Sequence, residues 1–123
     1  MSNYIYLLIS VLLGATAQVV LKKGVQAVGP ISIATLIPNI GSIFFCPYII
    51  SGIVLYGASL MVWLIVLSRM ELSRAYPFVS LGYIITFIFG IVLLDEKMSH
   101  YKIFGLLFII AGIFIMSRGE IIR

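Results

Sequence analysis

The sequence predicts an all-α fold, an integral membrane bundle of four transmembrane helices. Three observations carry this. Hydrophobic residues make up 63% of the 123-residue chain and charged residues only 10%, where a soluble domain carries about 25% charge. Four apolar stretches, Tyr4–Leu21, Tyr48–Leu67, Ala75–Leu94 and Tyr101–Ser117, hold a single charged residue between them, Lys102 at the start of the last, and about 20 such apolar residues cross the hydrocarbon as a helix. None of the stretches alternates with period two, which argues against a barrel. A backbone in lipid must satisfy its own hydrogen bonds, so each stretch is expected to be helical. The whole chain, 1–123, then forms one transmembrane domain with next to no soluble part.

The first helix is expected over about residues 4–21, closing at Lys22-Lys23-Gly24. Ala15-Thr16-Ala17 imitates a signal-peptidase site, but Met1-Ser2-Asn3 lacks the basic side chain that opens a signal peptide. The run is therefore read as a retained helix. Ile31–Cys46 is apolar yet broken by Pro38, Asn39 and Gly41, and proline interrupts a helix interior. Pro30–Pro38 reads as a short interfacial or bent segment. The second helix starts between Gly41 and Tyr48 and spans about 43–67.

The connection Ser68–Arg74 is short, so the second and third helices must be antiparallel neighbours. The third helix covers 75–94, with Pro77 near its start, where a missing N–H does no harm. Asp95–His100 leads to the fourth helix, 101–117, with Ser99 as candidate N-cap. Asp95 and Glu96 are expected to pair with Lys97 or Lys102. Tyr4, Tyr6, Tyr48, Tyr76 and Tyr101 fall near helix ends, as an aromatic belt requires.

Four crossings put Arg69, Arg74, Arg118 and Arg123 on one side and Lys22, Lys23, Lys97 and Lys102 on the other. The positive-inside rule finds no preference in four against four. The sharper reading is insertion in both orientations with head-to-tail pairing, an antiparallel dimer. The bland one is a chance balance, or orientation by a partner. The net charge of +4 is scattered, so no nucleic-acid partner is expected. The lone Cys46 can form no internal disulfide, and no metal site is expected.

Ser10, Gly14, Gln18 and Lys22 recur at steps of four, on nearly one helix face. Such a stripe faces either a tightly packed helix or a polar cavity. Lys22 is either a snorkelling end residue or a ligand. On the second helix Gly52, Tyr56, Ser59 and Trp63 form a helical series, and on the third Tyr76, Ser80, Tyr83 and Gly90 do the same. Both offer aromatic walls and hydroxyls, with interhelical packing as the alternative. The candidate substrate-binding residues are thus Lys22, Gln18, Ser10, Trp63, Tyr76, Ser80, Tyr83 and Arg74. Gly105 and Gly112 lie seven apart on the fourth helix, a candidate dimer seam. No predicted helix carries Asp, Glu, His or Arg at mid-depth. There is no paired-carboxylate site, no nucleophile constellation and no phosphate loop, so no catalytic residue, cofactor or enzymatic activity is expected.

The run Trp63-Leu64-Ile65-Val66-Leu67-Ser68-Arg69-Met70-Glu71-Leu72-Ser73-Arg74-Ala75-Tyr76-Pro77, with Leu94-Asp95-Glu96-Lys97, Gly105 and Ala111-Gly112 further on, resembles the four-helix branch of the drug/metabolite transporter superfamily. Met1–Lys22 also looks like the first helix of the small multidrug resistance proteins, and only Gly24–Cys46 stands outside the similarity. The multidrug exporters carry an essential glutamate midway along that helix, where this chain has Gly14. Their tryptophan on the third helix is matched by Val79, and of that aromatic set only Tyr76 is kept. The Trp63–Pro77 run is instead similar to the subunits of the 4-amino-4-deoxy-L-arabinose-phosphoundecaprenol flippase.

That resemblance implies movement of a polyprenyl-phosphate-linked sugar across the bacterial inner membrane, by a homodimer or a heterodimer with a related four-helix subunit. The physics fits. An anionic lipid phosphate needs an interfacial cation, which Lys22 or Arg74 can supply. The polyprenyl tail stays among the membrane lipids while the sugar crosses, so a polar lateral groove suffices. Two other readings stay open: a small-molecule exporter of the multidrug or metabolite type, and a membrane subunit that transports nothing itself.

Overall fold

The structure, a computed structural model, describes residues 2–122, so Arg123 lies outside the described residues. It is helical throughout, with α1 Ser2–Val28, α2 Ile33–Leu36, α3 Ile40–Phe44, α4 Pro47–Arg69, α5 Leu72–Leu94 and α6 His100–Ile122. Four of these, α1, α4, α5 and α6, are long and apolar enough to cross a membrane.

The helix ends follow local chemistry. α1 does not stop at Gly24. It continues to Val28 and ends at Gly29, whose φ of 102° is a conformation only glycine adopts at little cost. Lys22 and Lys23 therefore ride on the helix rather than follow it. Between α1 and α4, Ser32 caps α2 in a reciprocal box with Thr35. α3 is a separate turn-and-a-half, so α4 begins only at Pro47, with Cys46 at the N-cap. The α4–α5 link is only Met70 and Glu71. α5 thus starts three residues before Ala75, and Pro77 falls in its second turn. There the proline does remove one intrahelical bond, the one to the Ser73 carbonyl, contrary to the harmless first-turn position expected. α5 closes on Asp95 in the left-handed region (φ 53°, ψ 35°), with the Glu96 N–H on the Gly90 carbonyl at 3.1 Å. The Ser99 hydroxyl accepts from the Lys102 N–H, the N-cap bond of α6. Lys102 Nζ donates to the Lys97 carbonyl rather than to Asp95 or Glu96.

α1 is the organising element. It packs along both α4 and α5, while α4 and α5 scarcely touch each other and α6 rests mainly on α5. Two glycines bring α1 and α4 together. A Cβ on Gly24 would stand 2.6 Å from Ile49 Cγ1 and 3.1 Å from the Ile49 nitrogen. One on Gly52 would stand 2.6 Å from Leu21 Cγ. Small residues permit such close approach where no hydrophobic force pushes helices together in lipid. At the opposite end Leu7, Val66, Met70 and Ala75 form a small buried core, packed by Tyr6, Trp63 and Phe78. Among the described residues α6 buries none.

Candidate functional site

Because α1 backs both α4 and α5 while these two stand apart, a groove of about 550 Å³ opens between them. α1 forms its back wall with Ser10, Val11, Gly14, Ala15 and Gln18. α4 contributes Tyr56, Ser59, Leu60 and Trp63, and α5 contributes Tyr76, Val79, Gly82, Tyr83 and Thr86. No acidic or basic side chain is among the lining residues.

The back wall is held by a reciprocal pair. Ser10 Oγ donates to the Ser59 carbonyl at 3.2 Å, and Ser59 Oγ donates to the Ser10 carbonyl at 2.9 Å. Both serines are buried, so neither hydroxyl is left unsatisfied away from water. Gly14 makes room for this clasp, since a Cβ there would lie 3.3 Å from Ser59 Oγ. The side walls are aromatic. The Trp63 and Tyr76 rings meet edge to face, centroids 5.9 Å apart and planes at 61°. Tyr56, Tyr76 and Tyr83 are exposed in the structure, where they face the groove mouth. The site thus offers ring faces, phenol and hydroxyl groups and one carboxamide, the chemistry of polyol recognition, with no fixed charge.

The sequence-derived candidates divide. Ser10, Gln18, Trp63, Tyr76 and Tyr83 line the groove, though the Ser10 proton is already donated to α4. Ser80, Lys22 and Arg74 are not among the lining residues. Lys22 is exposed one turn beyond Gln18, and Arg74 is exposed two residues before Tyr76. Of the helical series on α4, Tyr56, Ser59 and Trp63 face the groove, while Gly52 belongs to the seam with Leu21. Gly105 and Gly112 have nothing within 4 Å of a built Cβ. Thr86 was missed. The groove face of α5 runs Tyr76, Val79, Tyr83, Thr86, at steps of three, four and three. Choosing the polar Ser80 over the apolar Val79 shifts that face by one residue, about 100°. The three-four-three spacing alone was the signal that could have found Thr86.

The long helices of this multi-pass membrane protein thus part around an uncharged groove of mixed polar, aromatic and apolar lining. The EamA-like transporter family matches residues 1–118, and the chain belongs to that family. Among curated proteins it is similar to the probable 4-amino-4-deoxy-L-arabinose-phosphoundecaprenol flippase subunit ArnF of Photorhabdus laumondii, 31% identical over 98% of this chain and 100% of the relative. The ArnF proteins of Proteus mirabilis, 29% identical over 95% of this chain and 92% of the relative, and the ArnE protein of Pseudomonas fluorescens, 36% identical over 50% of this chain and 54% of the relative, are also similar. No solved structure matches the chain.

Proposed function

We propose that the chain is a subunit of an inner-membrane flippase for a polyprenyl-phosphate-linked amino sugar. The observation that carries this reading is the groove itself: hydroxyl, amide and aromatic groups set in an apolar lining, without charge, and open where α4 and α5 part. A sugar tethered to a lipid can enter such a groove from the bilayer while its tail stays in the hydrocarbon. Hydroxyls on Tyr56, Tyr83 and Thr86 and the Gln18 amide would replace water around the sugar, and the Trp63 and Tyr76 rings would pack on its C–H faces. The relatives named as flippase subunits, similar over nearly the whole chain, support the same cargo. The word subunit in those names, together with a four-helix chain too small to enclose a pathway, favours a two-chain assembly. The partner is either a second copy or a related four-helix protein. Many transporters place their site between two such units.

Proton-coupled drug export fits less well. Gly14, which stands where the multidrug exporters carry their glutamate, lies in the back wall, and no lining residue supplies a carboxylate. The test is outer-leaflet labelling in bacteria that make a lipid-linked amino sugar but lack their own flippase for it. Expression of this chain, with and without a related four-helix subunit, should expose the amine to a membrane-impermeant reagent. Trp63→Ala should reduce that exposure roughly tenfold, the loss of one stacking contact and its desolvation. Labelling no higher than in cells without the chain would remove the proposal.

A further inference from the structure

Between α1 and α4 the chain carries an apolar segment with little protein against it. No charged side chain occurs from residue 24 to 68. Residues 30–42 are all exposed, and in α3 only Ile43 is buried. Ile33, Ile37 and Phe45 are 89%, 73% and 81% exposed, with Leu36, Ile40 and Phe44 exposed beside them. α3 touches α1 and α4, whereas α2 packs closely on no other element. A four-residue helix does not hold by its own propensity in water. A bare apolar cluster of this kind marks contact with something equally apolar.

The polar side chains of the segment, Ser32, Thr35, Asn39 and Ser42, are each bonded within it. The Ser32 N–H donates to Thr35 Oγ1 at 2.9 Å, and the Thr35 N–H donates to Ser32 Oγ at 3.3 Å. Asn39 Nδ2 donates to the Thr35 carbonyl and Ser42 Oγ to the Asn39 carbonyl, both at 3.0 Å. Polar groups satisfied from within suit a medium poor in water. The depth follows from the flanking helices. Gly24 packs against Ile49 in the first turn of α4, so α1 and α4 leave the hydrocarbon at one level. The exposed Lys22 and Lys23 mark that level, since lysine stems snorkel to the surface. From Lys22 to Val28 α1 rises about 9 Å, close to the depth of one headgroup layer, about 5–7 Å. The segment therefore begins and ends at the membrane surface. Its non-helical stretch 29–32 keeps it out of the hydrocarbon interior, where irregular backbone finds no water to bond.

We infer that α2 and α3 form a membrane-interface anchor. Ile33, Ile37 and Phe45 insert among the acyl chains just below the headgroups of the leaflet on the lysine side. The anchor holds the α1–α4 pair, which carries the back and one wall of the groove, at a fixed depth. The occupant of the apolar surface is lipid, because that surface is continuous with the exposed flanks of α1 and α4 at Val25, Tyr48 and Ile50. Lys22 and Lys23 add charge complementarity to phospholipid phosphates. The inference holds whatever cargo the groove takes.

The experiment measures depth in nanodiscs of phosphatidylethanolamine and phosphatidylglycerol. A nitroxide is placed in turn by Ile33→Cys, Ile37→Cys and Phe45→Cys, in a Cys46→Ser background. Met98→Cys, exposed beside Asp95–Lys97, is the aqueous reference, and Met61→Cys, exposed on α4, is the hydrocarbon reference. All these positions are exposed, so the label displaces no packing; unchanged melting verifies it. Collisions with oxygen, which concentrates in hydrocarbon, are compared with collisions with a nickel chelate, which stays in water. At 33, 37 and 45 nickel accessibility should fall severalfold below that at 98, with oxygen accessibility between those at 98 and 61. Nickel accessibility equal to that at 98 would put the segment in water and overturn the anchor. Low accessibility to both reagents would mean that protein covers it, a second copy or another subunit, and would overturn it too. Oxygen accessibility equal to that at 61 would place the segment in the hydrocarbon interior and overturn the interfacial depth.

Discussion

Ser10 and Ser59 answer one another across the α1–α4 contact, each hydroxyl on the other's carbonyl, although they lie 49 residues apart in sequence. Each carbonyl also sits inside a helix, where a backbone N–H is its usual partner. Removing one hydroxyl therefore strands no buried group. Interhelical polar contacts in membranes average about 0.6 kcal/mol. Ser10→Ala and Ser59→Ala should each destabilise by about that much, measured by reversible unfolding in mixed micelles. The double variant should lose less than the sum, because the two bonds depend on the same approach of the helices. A strictly additive pair would mean the bonds form independently. The stripe Ser10, Gly14, Gln18 and Lys22 was legible in sequence from its step of four, but it runs from buried Ser10 to exposed Gln18 and Lys22 and does not mark one buried face of α1. What was not legible was that packing and groove readings both hold: Ser10 and Gly14 form the clasp, and Gln18 stands clear of it. That depends on which residue of α4 lies opposite, and helix periodicity carries no information about register between helices.

Each transmembrane helix existed plainly in the sequence because lipid leaves the backbone no alternative, whereas its ends did not. Lys22-Lys23-Gly24 reads as a stop, yet Gly24 is a packing residue and Gly29 the true end of α1. A glycine serves both purposes, and only the neighbour at Ile49 distinguishes them. The same ambiguity separates the seams. Gly24→Ala must push Cβ into the Ile49 backbone and side chain, and overpacking of this kind costs about 1–3 kcal/mol. Thermal melting in detergent should fall accordingly. Gly112→Ala should leave melting unchanged, because nothing lies within 4 Å of its added Cβ. If α6 is the seam between two chains, Gly112→Leu should lower the dimer fraction in mild detergent with the single chain intact. A dimer unaffected by Gly112→Leu would place the interface on another helix. On α5, polarity misled by one position where spacing did not, since the wall of the groove includes the apolar Val79. Membrane grooves are lined partly by apolar residues, so residue polarity alone marks their faces poorly.

At the scale of the molecule, two features define the protein: a balanced charge distribution and an uncharged lateral groove. Four arginines against four lysines predict insertion in both orientations, or a fixed orientation imposed by a second subunit. C-terminal reporters active only inside or only outside the membrane decide between them. Activity from both marks dual insertion, and one-sided activity that changes sides when two arginines are added to the lysine face marks a marginal bias. The groove makes the stronger claim, that cargo enters from the bilayer and crosses without a titratable carboxylate. The direct measurement is translocation of a polyprenyl-phosphate-linked amino sugar in proteoliposomes containing the purified chain, alone and with a related four-helix subunit. Transfer is followed by protection of the amine from an impermeant reagent. The predicted result is transfer that depends on Trp63 and Tyr83, together with no proton-driven uptake of quaternary ammonium compounds. Absence of sugar transfer in both preparations, with drug uptake that collapses when the proton gradient is removed, would contradict it.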